Sequence, residues 1–99
     1  MMNSLKDIVE VFAKHKSQLQ SRFKIKEIGI FGSFVRGFET PKSDLDILVD
    51  FDKGGETFDN YMELKFFLEG IFNTKVDLVI RHVLRPELKH DILAEVVYV

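Results

Sequence analysis

The sequence predicts an α+β domain, a small sheet with helices packed on it, and three observations predict it. Apolar residues recur at helical spacing in two segments, near residues 5–20 and 61–73. A strict two-residue alternation runs through residues 44–52, and two further short runs, near 25–31 and 76–80, are rich in β-branched and aromatic residues. At 99 residues, with 45% hydrophobic and 30% charged side chains, the chain fits one compact domain over 1–99 with an ordinary core. Ten phenylalanines and no tryptophan point to a core of Phe, Ile, Leu and Val.

Ser4 has the chemistry of a helix N-cap, and Leu5, Ile8, Val9 and Phe12 follow at helical spacing, so a first helix is expected to about Gln20. Ile25, Ile28, Ile30 and Phe31 then lead into Gly32, a strand ending at a turn. Phe34, Val35 and Phe38 suit one short helical turn, and Glu39 to Ser43, with Pro41, carries turn residues that disfavour helix. Leu45, Ile47, Val49 and Phe51 alternate with Asp44, Asp46, Leu48, Asp50 and Asp52, which defines a second strand. A Lys53-Gly54-Gly55 loop follows, then a helix marked by Tyr61, Leu64, Phe67, Leu68 and Ile71 that ends near Asn73. Val76, Leu78, Val79 and Ile80 predict a third strand around Asp77. Pro86 opens a last helix through Leu88, Ile92 and Leu93 towards Val96, and Val96 to Val99 suits a closing strand.

Composition removes several functions. The net charge of −2 argues against a nucleic-acid binder driven by bulk positive charge, and no direct nucleic-acid binding is expected. Without cysteine there is no disulfide or thiolate metal site, and the scattered His15, His82 and His90 do not make a zinc constellation. No apolar run has the length of a signal peptide core or of the roughly 20 residues that span a bilayer, so a cytoplasmic protein with no membrane partner is expected.

The chemistry concentrates between Gly32 and Asp46. Side chains two apart on a strand point the same way, with Cα atoms roughly 6 to 7 Å apart, so Asp44 and Asp46 share a face. Two such carboxylates repel unless a cation lies between them, and oxygen-only ligands suit Mg²⁺, whose remaining positions take water and phosphate oxygens. A D-x-D pair standing alone is more often a strand-start cap or a solvent face. Gly32-Ser33 changes that balance: a glycine turn between strand and helical turn exposes N–H groups and a hydroxyl suited to phosphate. Arg36, one turn on, reads either as a phosphate ligand or as a structural ion pair. Asp77 interrupts an apolar strand, as a ligand or as a core-edge ion pair. Asp50 shares the parity of Asp44 but lies roughly 20 Å away along the strand, too far to share a metal pair.

Together, "GSFVRGFETPKSDLD" resembles the signature of the DNA polymerase beta-like nucleotidyltransferase superfamily, and more closely that of its minimal nucleotidyltransferase (MNT) antitoxin family. Gly32, Ser33, Arg36, Gly37, Ser43, Asp44 and Asp46 all agree with the G-S-x-x-R-G and S-D-x-D pattern, and "VDLVI" and "LRPEL" extend the likeness downstream. The resemblance implies a small mixed sheet of the polymerase beta-like nucleotidyltransferase fold. It implies catalytic and metal-binding roles for Asp44, Asp46 and Asp77, with Mg²⁺, two ions, as cofactor. It implies nucleotide binding by Gly32, Ser33, Arg36 and Ser43, with ATP as substrate. The implied partner is a HEPN-domain ribonuclease toxin, neutralised by adenylylation of a hydroxyl, that of a tyrosine, in a hetero-oligomer. Competing readings are an antitoxin of this fold that neutralises by binding alone, and a nucleotidyltransferase acting on a small molecule or RNA.

Other features are less directed. Phe58, Tyr61, Phe66, Phe67 and Phe72 are expected in the core ahead of a base pocket or partner surface. Lys14, Lys16, Arg22, Lys24 and Lys26 form a basic segment, a solvated helix end or a surface for nucleotide or partner. Arg81, His82 and Arg85 follow the Asp77 strand closely enough to approach phosphates.

Overall fold

The computed structural model describes residues 4–37 and 44–99. Its elements are α1 (Leu5–Phe23), β1 (Ile25–Phe31), α2 (Ser33–Arg36), β2 (Leu45–Phe51), α3 (Phe58–Phe72), β3 (Val76–Ile80), a 3₁₀ turn (Arg81–Val83), α4 (Pro86–Glu95) and β4 (Val97–Tyr98). The expected turn around Pro41, together with Phe38 and Ser43, falls outside the described residues.

The four strands form one sheet in the order β3-β2-β1-β4. β1 runs antiparallel to β2 and β4, whereas β2 and β3 are parallel, so the sheet is mixed. A parallel pair needs a crossover, and α3 supplies it.

Local chemistry sets the helix ends. The Ser4 hydroxyl accepts the Asp7 N–H at 3.3 Å and starts α1. The helix runs to Phe23, past the expected Gln20, because Leu19 and Phe23 continue the buried stripe of Ile8 and Phe12. Lys24 then turns left-handed at φ 53°. Thr57 caps α3 by accepting the Asn60 N–H at 3.1 Å, so the helix begins at Phe58, ahead of the first residue of the apolar pattern. The Asn60 side chain also donates to the Phe23 carbonyl at 2.8 Å and the Gly55 carbonyl at 2.7 Å, which ties the end of α1 to the start of α3.

The core lies on one face of the sheet. Leu45, Ile47, Val49 and Phe51 of β2, flanked by Ile28, Ile30, Val76 and Leu78, pack against Ile8, Phe12, Leu19 and Phe23 of α1 and Leu64, Leu68 and Phe72 of α3. The Phe12 and Phe72 rings meet at 5.0 Å. α3 also seals the sheet edge: Tyr61 donates to the Leu78 carbonyl at 2.6 Å, and Glu69 accepts the Val76 N–H at 3.1 Å. Edge strand β3 thereby loses two groups that would invite pairing by another chain.

The expectation that all five aromatics between residues 58 and 72 lie in the core is corrected for two of them. Phe72 is buried and Tyr61 and Phe67 pack against the core, but Phe58 and Phe66 are 77% and 61% exposed. Phe66 stands two residues from both Leu64 and Leu68, about 200° around the helix from each, so it cannot share their stripe.

These environments separate two substitutions. Leu64→Ala should lose about 3 kcal/mol through transfer and cavity costs, whereas Phe66→Ser should change stability by about 0.5 kcal/mol or less. Urea denaturation of the two variants checks both values.

Candidate active site

The face of the sheet opposite the core carries the polar chemistry. Strand parity places Gly29 and Phe31 of β1, Asp46, Leu48 and Asp50 of β2, and Asp77 and Val79 of β3 on it. Phe31 pairs with Asp46, and Asp46 with Asp77, so the two aspartates stand side by side on neighbouring strands, about 5 Å apart at Cα. Asp44, just before β2, has the same parity. Asp44 and Asp77 are exposed and Asp46 is partly buried.

β1 ends beside Asp46, and the backbone must turn there without a side chain. Gly32 has φ 82° and ψ −151°, a conformation open essentially to glycine alone. A Cβ on Gly32 would stand 2.0 Å from Asp46 Oδ2. The glycine therefore serves both the bend and the contact. Its carbonyl accepts the N–H groups of Val35 and Arg36, each at 3.1 Å, which forms α2 and brings Arg36 close enough for its charge to act on Asp46.

The Gly32 N–H, expected to be open for phosphate, donates to Glu95 Oε1 at 2.9 Å. Glu95 Oε2 lies 3.8 Å from Arg36 Nε, so the ion pair of Arg36 is with Glu95 rather than with an aspartate. Glu95, the last residue of α4, was not among the residues singled out by sequence. One signal marked it: a carboxylate at a helix C-terminus opposes the helix dipole, and the last turn of α4 has no basic residue.

The acidic face perturbs its central member. Burial pushes the Asp46 carboxyl up to about 6, helped by the charges of Asp77, Asp44 and Glu95, while Arg36 opposes the rise. Oxygen donors that repel one another on one face are the donor set a hard divalent cation relieves. Among the described residues no three histidine, aspartate or glutamate side chains converge tightly enough to hold a metal ion.

Two of the three basic residues after β3, Arg81 and His82, are engaged elsewhere. Arg81 lies 3.9 Å from Asp50, and His82 is 2.5 Å from Glu56. Asp50 is thus separated from the acidic group by a partner as well as by distance. In the basic segment, Arg22 lies over the rings of Phe23 and Phe67, at 4.8 and 5.8 Å. No helix among the described residues is long and apolar enough to cross a membrane.

Comparison with known proteins agrees with this geometry. A family model for the nucleotidyltransferase domain matches residues 12–99. The protein adenylyltransferase MntA of Thermococcus cleftensis is 41% identical over 98 residues, covering 99% of this chain and 98% of its own length. A solved structure assigned as a minimal nucleotidyltransferase superposes with a TM-score of 0.77 at 32% identity, covering 96% of this chain and 95% of the other. The fold also recurs in a complex of a tri-AMPylated Shewanella oneidensis HEPN toxin with an MNT antitoxin, with a TM-score of 0.58 at 19% identity over 94% of this chain and 66% of the other.

Two outcomes follow from the site. The raised Asp46 pKa means that the folded protein holds this proton more tightly than the unfolded chain, so stability from this group is greatest below pH 4 and falls as pH rises through about 6. Asp46→Asn should therefore be more stable than the parent above pH 6, by about 1 kcal/mol after discounting for solvent screening, and the gain should vanish below pH 4. Melting temperatures at pH 4 and 7.5 measure it. Gly32→Ala, which drives a methyl into Asp46 and demands a forbidden φ, should cost about 2 kcal/mol or more in the same assay.

Proposed function

The chain belongs to the nucleotidyltransferase domain family, and from that premise we propose that it is a Mg²⁺-dependent protein adenylyltransferase of the cytoplasm. It transfers AMP from ATP to a hydroxyl, that of a tyrosine, on a partner HEPN ribonuclease toxin and so neutralises it. The observation that carries this reading is the close packing of Gly32 on Asp46 with Asp77 in register beside it. In this reading a phosphate-binding turn at the end of β1 and a carboxylate surface on β2 and β3 lie side by side. The adenylyltransferase relative at 41% identity and the AMPylated toxin complex of the same fold support the acceptor class.

In this reading Asp44, Asp46 and Asp77, which share a face but do not converge on one point without a cation between them, would hold the Mg²⁺ ions. When bound, these ions neutralise phosphate charge and lower the pKa of the acceptor hydroxyl. The Gly32 N–H, the Ser33 hydroxyl and the Arg36 guanidinium grip the terminal phosphates, and Ser43, which lies outside the described residues, is the fourth nucleotide-binding residue of this reading. That grip turns the α-phosphorus towards the aspartate face. The acceptor oxygen forms a bond to the α-phosphorus, the bond to the α,β-bridging oxygen breaks, and pyrophosphate leaves on the Gly32–Arg36 side. In this reading Asp77, exposed on edge strand β3, takes the acceptor's proton.

Incubation with Mg²⁺, ATP and the cognate HEPN protein should raise the partner's mass in AMP increments. Asp77→Asn should keep Mg²⁺-nucleotide binding and lower transfer by about a hundredfold or more. A partner that is inhibited but unmodified, or an Asp44→Ala/Asp46→Ala variant that still neutralises it, would replace catalysis by binding alone.

A further inference from the structure

We propose that Glu95 is a built-in competitor for the polyphosphate tail of the nucleotide: its carboxylate holds the Gly32 amide and the Arg36 guanidinium, and a triphosphate binds by taking both donors from it. The inference rests on the nucleotide reading of this site and adds a residue with no role in the family signature quoted above.

The contact has the form of anion recognition. One carboxylate oxygen accepts a backbone N–H at 2.9 Å and the other faces a guanidinium nitrogen at 3.8 Å. A phosphate with two free oxygens presents the same pair of acceptors. Glu95 reaches the Gly32 amide from 63 residues away in sequence. Nothing in α4 rewards a carboxylate at this position, since the helix dipole disfavours it and no basic residue in the last turn offsets it. The side chain is only 24% exposed and stands beside the aspartate face, so the two donors are what hold the charge there.

The backbone behind Glu95 is fixed, which confines the exchange to the side chain. Val96 lies against Gly29, where a Cβ would come within 2.8 Å of Val96 Cγ2. Beyond it Val97 pairs with Ile30, and the Val99 N–H donates to the Ile28 carbonyl at 3.0 Å. Release therefore needs rotation about the Glu95 side-chain bonds, with α4 and β4 staying seated. A single phosphate offers little advantage over this tethered carboxylate, whereas a polyphosphate brings more charge and more oxygens. Glu95 thus favours triphosphate over inorganic phosphate, and its return helps expel pyrophosphate.

Calorimetric titration with Mg²⁺-ATP and with inorganic pyrophosphate, on the parent, Glu95→Ala, Glu95→Gln and the exposed control Glu87→Gln, tests this. Glu95→Ala should bind both probes about three- to tenfold more tightly, because the population tax of the internal contact is gone. Glu95→Gln should lie between, and Glu87→Gln should match the parent. In parallel, hydrogen exchange at the Gly32 amide should be slow in the parent, faster in Glu95→Ala, and slow again in that variant once ATP is added. Equal or weaker binding by Glu95→Ala overturns the inference and makes Glu95 a brace for Arg36. An equal gain in Glu87→Gln overturns it as a general charge effect, and a Gly32 amide unprotected in the parent overturns the contact itself. Failure of every protein to bind nucleotide refutes the underlying reading along with it.

Discussion

Everything at this site depends on the register between β2 and β3, which sets Asp46 beside Asp77. Two carboxylates on adjacent strands repel, and nothing in their own chemistry favours the arrangement. The core enforces it. Leu45, Ile47 and Val49 are at most 1% exposed on the opposite face, and a slip of β2 by one residue would turn that row outwards and the aspartates inwards. Each apolar residue fixed against α1 and α3 is therefore also a constraint on the acidic face, and the raised proton affinity of Asp46 is the local cost of that constraint.

The absence of side chains shapes the same region. Gly32 lets β1 end against Asp46, and Gly29, on the same face of β1, lets Val96 lie against the strand. The first contact joins the Gly32 turn to the acidic surface, and the second seats the end of α4 so that Glu95 reaches back to Gly32. Both are close approaches of backbone to neighbouring groups, where a methyl group would collide. Two glycines in one strand and its turn thus decide which charged groups meet.

Much of this was legible in the sequence because it follows short-range periods. The alternation through Leu45, Ile47, Val49 and Phe51 fixed the face of Asp44 and Asp46, and the break in the apolar run at Asp77 marked its strand position correctly. The helix made by Leu64 and Leu68 was equally readable, but the outward direction of Phe58 and Phe66 was not, since aromatic character says nothing about angular position around a helix axis. The long-range pairings were also hidden. That Arg81 turns to Asp50, His82 to Glu56 and Arg36 to Glu95 depends on where the turn after β3 and the end of α4 arrive, which no local pattern encodes. Glu95 was passed over, although a carboxylate at the C-terminal end of a helix without a basic residue in its last turn was a signal available to find it.

On the proposed reading the site has two halves of opposite preference. Around Gly32 and Arg36 the protein offers donors and positive charge, held by Glu95, and around Asp44, Asp46 and Asp77 it offers acceptors and negative charge. A free polyphosphate satisfies the first half but brings its charge close to the second. A free divalent cation would relieve the second and leave Glu95 where it is. A nucleotide carrying its metal would meet both demands at once, since the cation would supply charge to the aspartates and the phosphates would compete with Glu95. The affinities of metal and nucleotide are then coupled through the fixed distance between the two halves, which Gly32 sets by ending β1 against Asp46.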